Sequence, residues 1–202
     1  MKNRLHYQMT DFDCGPVTLL NAVNYLFERE EIPPELVRNI FLFTLDGYGA
    51  SGVRGEAGTT AEAMQHVASW LTGLGRSGRL PVQAEFLSGD QVSLEEGSRL
   101  IRGLRQGDAV IVRVFCGCGH YILLTGEEGD AVRAFDPYLR ETFSDTDCYR
   151  RVEGHPYTHN HIIAKECFRP ARDEGFFAFG PYERREAVIL HRQPISAVSA
   201  AE

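Results

Sequence analysis

The chain has 202 residues, 43% of them hydrophobic and 24% charged, and carries a formal net charge of −7. That length and balance suit one globular domain with a proper apolar core. The acidic excess and the absence of any basic run exclude a nucleic-acid surface, and no stretch approaches the roughly 20 apolar residues that cross a bilayer.

Residues 1–12 lack the apolar run of a secretory signal. The cysteines number five, without the spacing of a small disulfide scaffold, so free thiols in a reducing, cytoplasmic setting are expected.

Asp11 and Asp13 each offer an N-cap oxygen. Beyond them Leu19, Leu20, Val23, Leu26 and Phe27 recur at helical spacing, which predicts a buried first helix with Cys14 in its opening turn. Pro16 fits that turn, where a missing N–H costs nothing. The partial positive charge of a helix N-terminus favours thiolate over thiol. A single cysteine is usually packing; the position of Cys14 at a helix start, with candidate partners downstream, lifts it above that role. Gln8 lies six residues upstream (14 − 8), its amide able to point back at the sulfur.

Ile32-Pro33-Pro34 breaks the chain, and a second helix is expected from 35 to about 45. Residues 46–58 are glycine-rich, follow no strand and lack a Gly-Lys-Ser/Thr ending, so they read as a mobile loop at the rim of a site rather than a phosphate cradle. Thr59 with Glu62 has the form of a capping box, opening a helix that Gly73 and Gly75 stop. A short strand is expected over 80–87. Ser93 with Glu96 repeats the capping form before a helix that ends at Gly107.

From Asp108 the character changes. Ala109–Phe115, 120–125 and Ala131–Phe135 read as strands, the last two joined as a hairpin by Glu128-Gly129-Asp130. Residues 161–168 and 187–191 are weaker strand candidates, and the closing residues 196–202 read as frayed. Helices first and an antiparallel sheet second make the fold class α+β.

A cysteine nucleophile needs a base and a group to orient that base. His120 opens one strand of the hairpin and Asp136 closes the other, immediately before Pro137. Antiparallel pairing brings both to the same edge of the sheet.

Three blocks, Gln8 with Asp13-Cys14-Gly15-Pro16, then Gly119-His120-Tyr121, then Ala134-Phe135-Asp136-Pro137-Tyr138, resemble the peptidase C39-like family of papain-like cysteine peptidases. Its best-known members remove double-glycine leader peptides from bacteriocins and are fused to membrane transporters, which these residues lack. The likeness is strongest over 7–138, and the 56–61 segment resembles the family's Gly-Thr-Ser stretch.

The resemblance implies a papain-like cysteine proteinase fold over a single domain, 1–202, with N-terminal helices packed on an antiparallel sheet. By the same resemblance Cys14 is the nucleophile, His120 the general base, Asp136 its orienting partner and Gln8 the side-chain donor to the oxyanion. A histidine-paired cysteine of this kind is ionised at neutral pH. The partner implied is a peptide or amide-containing substrate, with no cofactor, no metal and no nucleic acid. Acyl transfer from the same thioester, as in papain-like phytochelatin synthases, and a binding module without turnover are the alternatives.

Other residues weigh less. Cys116 and Cys118 lack the spacing of a zinc knuckle. Cys148, His155, His159, His161 and Cys167 form a metal-type cluster on paper, with His159 and His161 on one face if the stretch is a strand. Asn160 rivals Asp136 as the group that orients His120. Trp70 and the run Phe176-Phe177-Ala178-Phe179 read as packing, Arg133 and Arg140 as solvated charge, and His6, His66 and His191 as ordinary.

Overall fold

The computed structural model describes residues 1–140, 146 and 148–194. The tail over 196–202 lies outside them. Four α-helices, α1 (Cys14–Leu26), α2 (Pro34–Thr44), α3 (Ala61–Arg76) and α4 (Arg99–Gln106), accompany seven strands among the described residues. The strands are β1 (Val82–Ser88), β2 (Ala109–Phe115), β3 (Gly119–Glu128), β4 (Ala131–Phe135), β5 (Tyr149–Arg151), β6 (His161–Ala164) and β7 (Glu186–Arg192). They form one sheet in the order β1-β7-β2-β3-β4-β6-β5, antiparallel at every pairing. This is the α+β class that the order of helical and β-branched segments implied.

The sheet is buried on both faces. Ala109, Ile111, Tyr121, Leu123, Val188 and Leu190 meet α1, α2 and α3. Val110, Val112, Ile122, Leu124 and Ile189 face the other way, onto α4 and Phe168, Phe177 and Phe179. A strand covered on both sides reads as an unbroken apolar run, which is why Ala-Val-Ile-Val stood out in the sequence.

Several local expectations shift. Gly73 and Gly75 do not stop α3, which runs through both to Arg76. A Cβ on Gly75 would lie 1.9 Å from the Val82 carbonyl oxygen, so this glycine lets β1 cross against the helix. The cap of α3 is Thr60, whose hydroxyl accepts from the Ala63 N–H at 3.2 Å, rather than Thr59. The cap of α4 is Ser98, not Ser93. The candidate strand over 161–168 holds as β6 only to Ala164, then tightens into a 3-10 turn, Lys165–Phe168.

Cys148 and Cys167 are joined as a disulfide, with Cα atoms 5.9 Å apart. The sequence offered no pairing rule for them; β5 and β6 bring them together. A bond of this kind persists in oxidising surroundings, so the cysteine count no longer supports a reducing setting. No helix among the described residues is long and apolar enough to cross a membrane.

Candidate active site

Cys14 is the first residue of α1 and is buried. Asp13 occupies the cap position, yet its carboxylate turns away from the helix. It accepts from the Met9 N–H (3.0 Å) and from the Thr10 N–H and hydroxyl (2.8 Å each). Asp13 therefore ties down the segment that carries Gln8, while Asp11 stays exposed. Gly15 lets Thr59 press against the helix start: a Cβ there would lie 2.2 Å from Thr59 Oγ1, and that hydroxyl is held by the Thr44 carbonyl.

Two hydrogen bonds fix α1 along β3. Thr18 Oγ1 donates to the Tyr121 carbonyl at 3.0 Å, and Tyr25 donates its hydroxyl to the Thr125 carbonyl at 2.9 Å. One turn before Thr18 is Cys14, and one residue before Tyr121 is His120. Docking the helix by these bonds brings the sulfur close enough to the imidazole to raise its proton affinity.

His120 Nε2 lies 2.7 Å from Asp136 Oδ1, both side chains buried, which leaves Nδ1 for Cys14. Burial alone would pull the imidazole down. The Asp136 charge and hydrogen bond, then those of Cys14, outweigh it and push His120 up to about 10. Asp136 is moved oppositely: burial pushes its carboxyl up, but the charge and hydrogen bond of His120 and the Tyr138 N–H hold it below the ordinary value. A protonated imidazole faced by a carboxylate on one side and a sulfur on the other is an arrangement suited to stabilising a thiolate.

Asp136 is itself clamped. Asn160 accepts from the Asp136 backbone N–H and donates to its carbonyl, both at 2.8 Å. Asn160 thus orients the orienting residue and does not compete with it for His120. Arg140, read as solvated charge, stands with Nε 3.9 Å from Asp136 Oδ2 and lies over the rings of Tyr138 and Phe176.

Gln8 is tied to the same segment, its backbone N–H donating to the Pro137 carbonyl at 2.8 Å. Its side-chain Nε2 donates to the Thr10 carbonyl at 2.6 Å, and its Oε1 is buried without a hydrogen-bond partner among the described residues. An amide nitrogen carries two N–H bonds, so one remains after Thr10.

Cys14 opens onto a cleft of about 400 Å³ lined by Asp11, Phe12, Thr59, Arg113, Cys118 and Tyr121, among others. The glycine-rich 46–58 loop contributes Glu56, Ala57 and Gly58 to its wall, the rim position expected of it. A second cleft of about 520 Å³ shares Thr59 and Arg113 with the first.

The remaining candidates separate from this site. Cys116 is buried, and burial followed by the Asp136 charge pushes its thiol up to about 12, so it stays protonated. His159 stacks on His155 at 4.3 Å, and burial holds it down to about 4. His161 instead faces Asn160 and Phe177. With Cys148 and Cys167 bonded to each other, the metal-type cluster read from the sequence is dispersed, and no group of metal ligands gathers among the described residues. Phe177 and Phe179 pack in the core, and Trp70 packs beside it.

Fold and site together describe an α+β protein in which a helix-borne thiol meets a sheet-borne imidazole–carboxylate pair at the floor of a cleft. No family model matches the sequence, and comparison with curated proteins gives no match. Among solved structures, the chain is similar to the peptidase domain of Streptococcus ComA, a bi-functional ABC transporter involved in a quorum sensing pathway (16% identity over 94% of this chain and 98% of that one, TM-score 0.49). It is also similar to the peptidase domain of Streptococcus mutans ComA (14%, covering 94% and 99%, TM-score 0.42). A double glycine motif protease from an AMS/PCAT transporter, in complex with the leader peptide, matches at 14%, covering 94% of each chain, with TM-score 0.42.

Proposed function

We propose that the protein is a papain-like cysteine hydrolase, a single domain that cleaves a peptide or amide bond through an acyl-enzyme on Cys14. One observation carries the reading: the buried His120–Asp136 pair, bonded at 2.7 Å, has its imidazole under the influence of Cys14, which lines a cleft.

In the mechanism the Cys14 thiolate attacks the scissile carbonyl carbon, and the electron pair moves onto the carbonyl oxygen. The Cys14 backbone N–H, without an intrahelical acceptor at a helix start, and the remaining Gln8 N–H stabilise that oxyanion. His120 gives its proton to the leaving amine as the C–N bond breaks. The neutral imidazole then takes a proton from water, which attacks the thioester and releases the acid and the Cys14 thiolate. Asp136 holds the ring throughout, and Asn160 holds Asp136.

The test is alkylation by iodoacetamide at about pH 5, read by peptide mass spectrometry. Cys14 is expected to react well ahead of Cys116 and Cys118, and digestion of a peptide mixture is expected to stop in Cys14→Ala protein. Equal, slow labelling of all three thiols, or cleavage undiminished in Cys14→Ala, would overturn the reading. Selective labelling without any cleavage would point to the binding module.

A further inference from the structure

We propose that Arg113 is a specificity residue that holds a carboxylate of the substrate in the cleft beside Cys14. The proposal rests on the hydrolase reading for the word substrate, but its evidence is the geometry of the cleft wall.

Arg113 is paired with Tyr121 across β2 and β3, so the two side chains emerge on the face that carries Cys14. Its guanidinium lies against Gly119, the residue before His120. A Cβ there would meet Arg113 Nη2 at 2.2 Å and Cζ at 2.8 Å, so a larger residue would displace the fork from its place beside the imidazole strand. From beneath, Arg113 is anchored by Glu186, a buried carboxylate whose Oε1 lies 3.4 Å from Arg113 Nε and accepts the Tyr121 hydroxyl at 2.8 Å. Burial pushes the Glu186 carboxyl up, while that hydroxyl and the Arg113 charge pull it back.

The anchoring leaves donors over. A guanidinium has five N–H bonds. Arg113 Nε meets Glu186, Nη1 donates to the Arg184 carbonyl at 3.4 Å, and Nη2 has no acceptor among the described residues. Both contacts are long, and the side chain is 25% exposed, on the wall that both clefts share.

The other charges there are committed or solvated. Glu56 accepts from the Ser51 hydroxyl, and Asp11 is exposed. Arg184 pairs with Asp173, and Arg185 donates to the Gly180 carbonyl and lies 4.1 Å from the centre of the Tyr182 ring. Glu62 and Glu183 line the second cleft without an ion pair among the described residues, and the Glu62 charge adds to the upward push on Glu186. Arg113 is therefore the cation with open donors on the wall of the cleft that Cys14 lines, among the described residues, and its planar fork matches a carboxylate in bidentate fashion. Partial burial makes that charge count for more than the exposed carboxylates at the mouth.

The test compares alkylation of Cys14 by iodoacetate and iodoacetamide, which differ only in the carboxylate. The wild-type rate ratio is expected to favour iodoacetate. Arg113→Gln should lower the ratio by about tenfold, the scale of one charge-assisted hydrogen bond, and Arg113→Lys should retain part of it. Because the ratio is read, a general loss of reactivity cancels.

A second measurement does not need the thiol. In Cys14→Ala protein, N-acetylglycylglycine should bind more tightly than its C-terminal amide by calorimetry, and Arg113→Gln should remove the difference. If Arg113→Gln unfolds because Glu186 is left unpaired, the double variant Arg113→Gln/Glu186→Gln, which removes the stranded charge and keeps an acceptor for Tyr121, takes its place in both measurements. An unchanged ratio together with equal binding of acid and amide overturns the proposal while leaving the hydrolase reading standing. Binding of the acid through Arg113 with an unreactive Cys14 does the reverse.

Discussion

Asp136→Asn tests the site most directly, because it removes a charge and little else. Asparagine keeps the shape and an Oδ1 acceptor for His120 Nε2, which now lies 2.7 Å from the carboxylate. The backbone should stay in place, since Asn160 holds Asp136 through main-chain atoms alone. Charge-assisted hydrogen bonds contribute about 1.5–3 kcal/mol and neutral ones about 0.5–1.5, so the imidazolium loses on the order of 1–2 kcal/mol. In so buried a pocket the lost charge adds to that, since Coulomb terms grow as the effective dielectric falls. At 1.4 kcal/mol per tenfold, the imidazolium–thiolate pair should be about tenfold or more scarcer at neutral pH. Two measurements read this: the rate of Cys14 alkylation by iodoacetamide at pH 7, and an NMR titration of the His120 ring. In wild-type protein the ring should keep its proton until about pH 10; in the variant it should lose it at distinctly lower pH. A variant with unchanged alkylation and an unchanged ring titration would refute the claim that Asp136 sustains the pair.

Other outcomes follow from the same contacts. His120 has its proton affinity raised by folding, so its contribution to stability is full below about pH 6.5 and is lost as pH rises through about 10; the melting-temperature gap between wild type and His120→Gln should shrink over that window. Asp136, held below its ordinary value, acts oppositely, its contribution being lost at the acid end. Gly15→Ala drives a methyl to 2.2 Å from Thr59 Oγ1 and should cost about 1–3 kcal/mol, several degrees in a thermal melt; an unchanged melt contradicts the packing described. Asn160→Ala strands a buried N–H and a buried carbonyl of Asp136, at about 1–3 kcal/mol each, and should lower both the melt and the Cys14 alkylation rate. Gln8→Ala should leave the melt nearly unchanged while cutting turnover by roughly a hundredfold or more, the loss of one oxyanion donor; undiminished turnover would remove Gln8 from the mechanism.

What the sequence determined by itself was whatever neighbouring residues encode. The apolar stripe that begins after Cys14 specified α1, and the β-branched run specified β2. Glu128-Gly129-Asp130 joined β3 to β4, which by register alone carries His120 and Asp136 to one edge. Capping boxes misled by one residue at Thr59 and by five at Ser93 (98 − 93), because the same side-chain pattern occurs in turns that tertiary contacts leave open. The glycines of α3 misled for the reason that a missing Cβ serves close packing as well as helix ending.

Only the tertiary structure decided which of these pieces meet. Thr18 and Tyr25 set α1 along β3, and that docking closes the gap between Cys14 and His120, 106 residues apart in the chain (120 − 14). The Asn160 clamp, the Cys148–Cys167 bond and the Glu186 seat of Arg113 are of the same kind. Each joins residues with no local pattern in common, so it exists only once the burial of both sheet faces has fixed where the strands and helices lie.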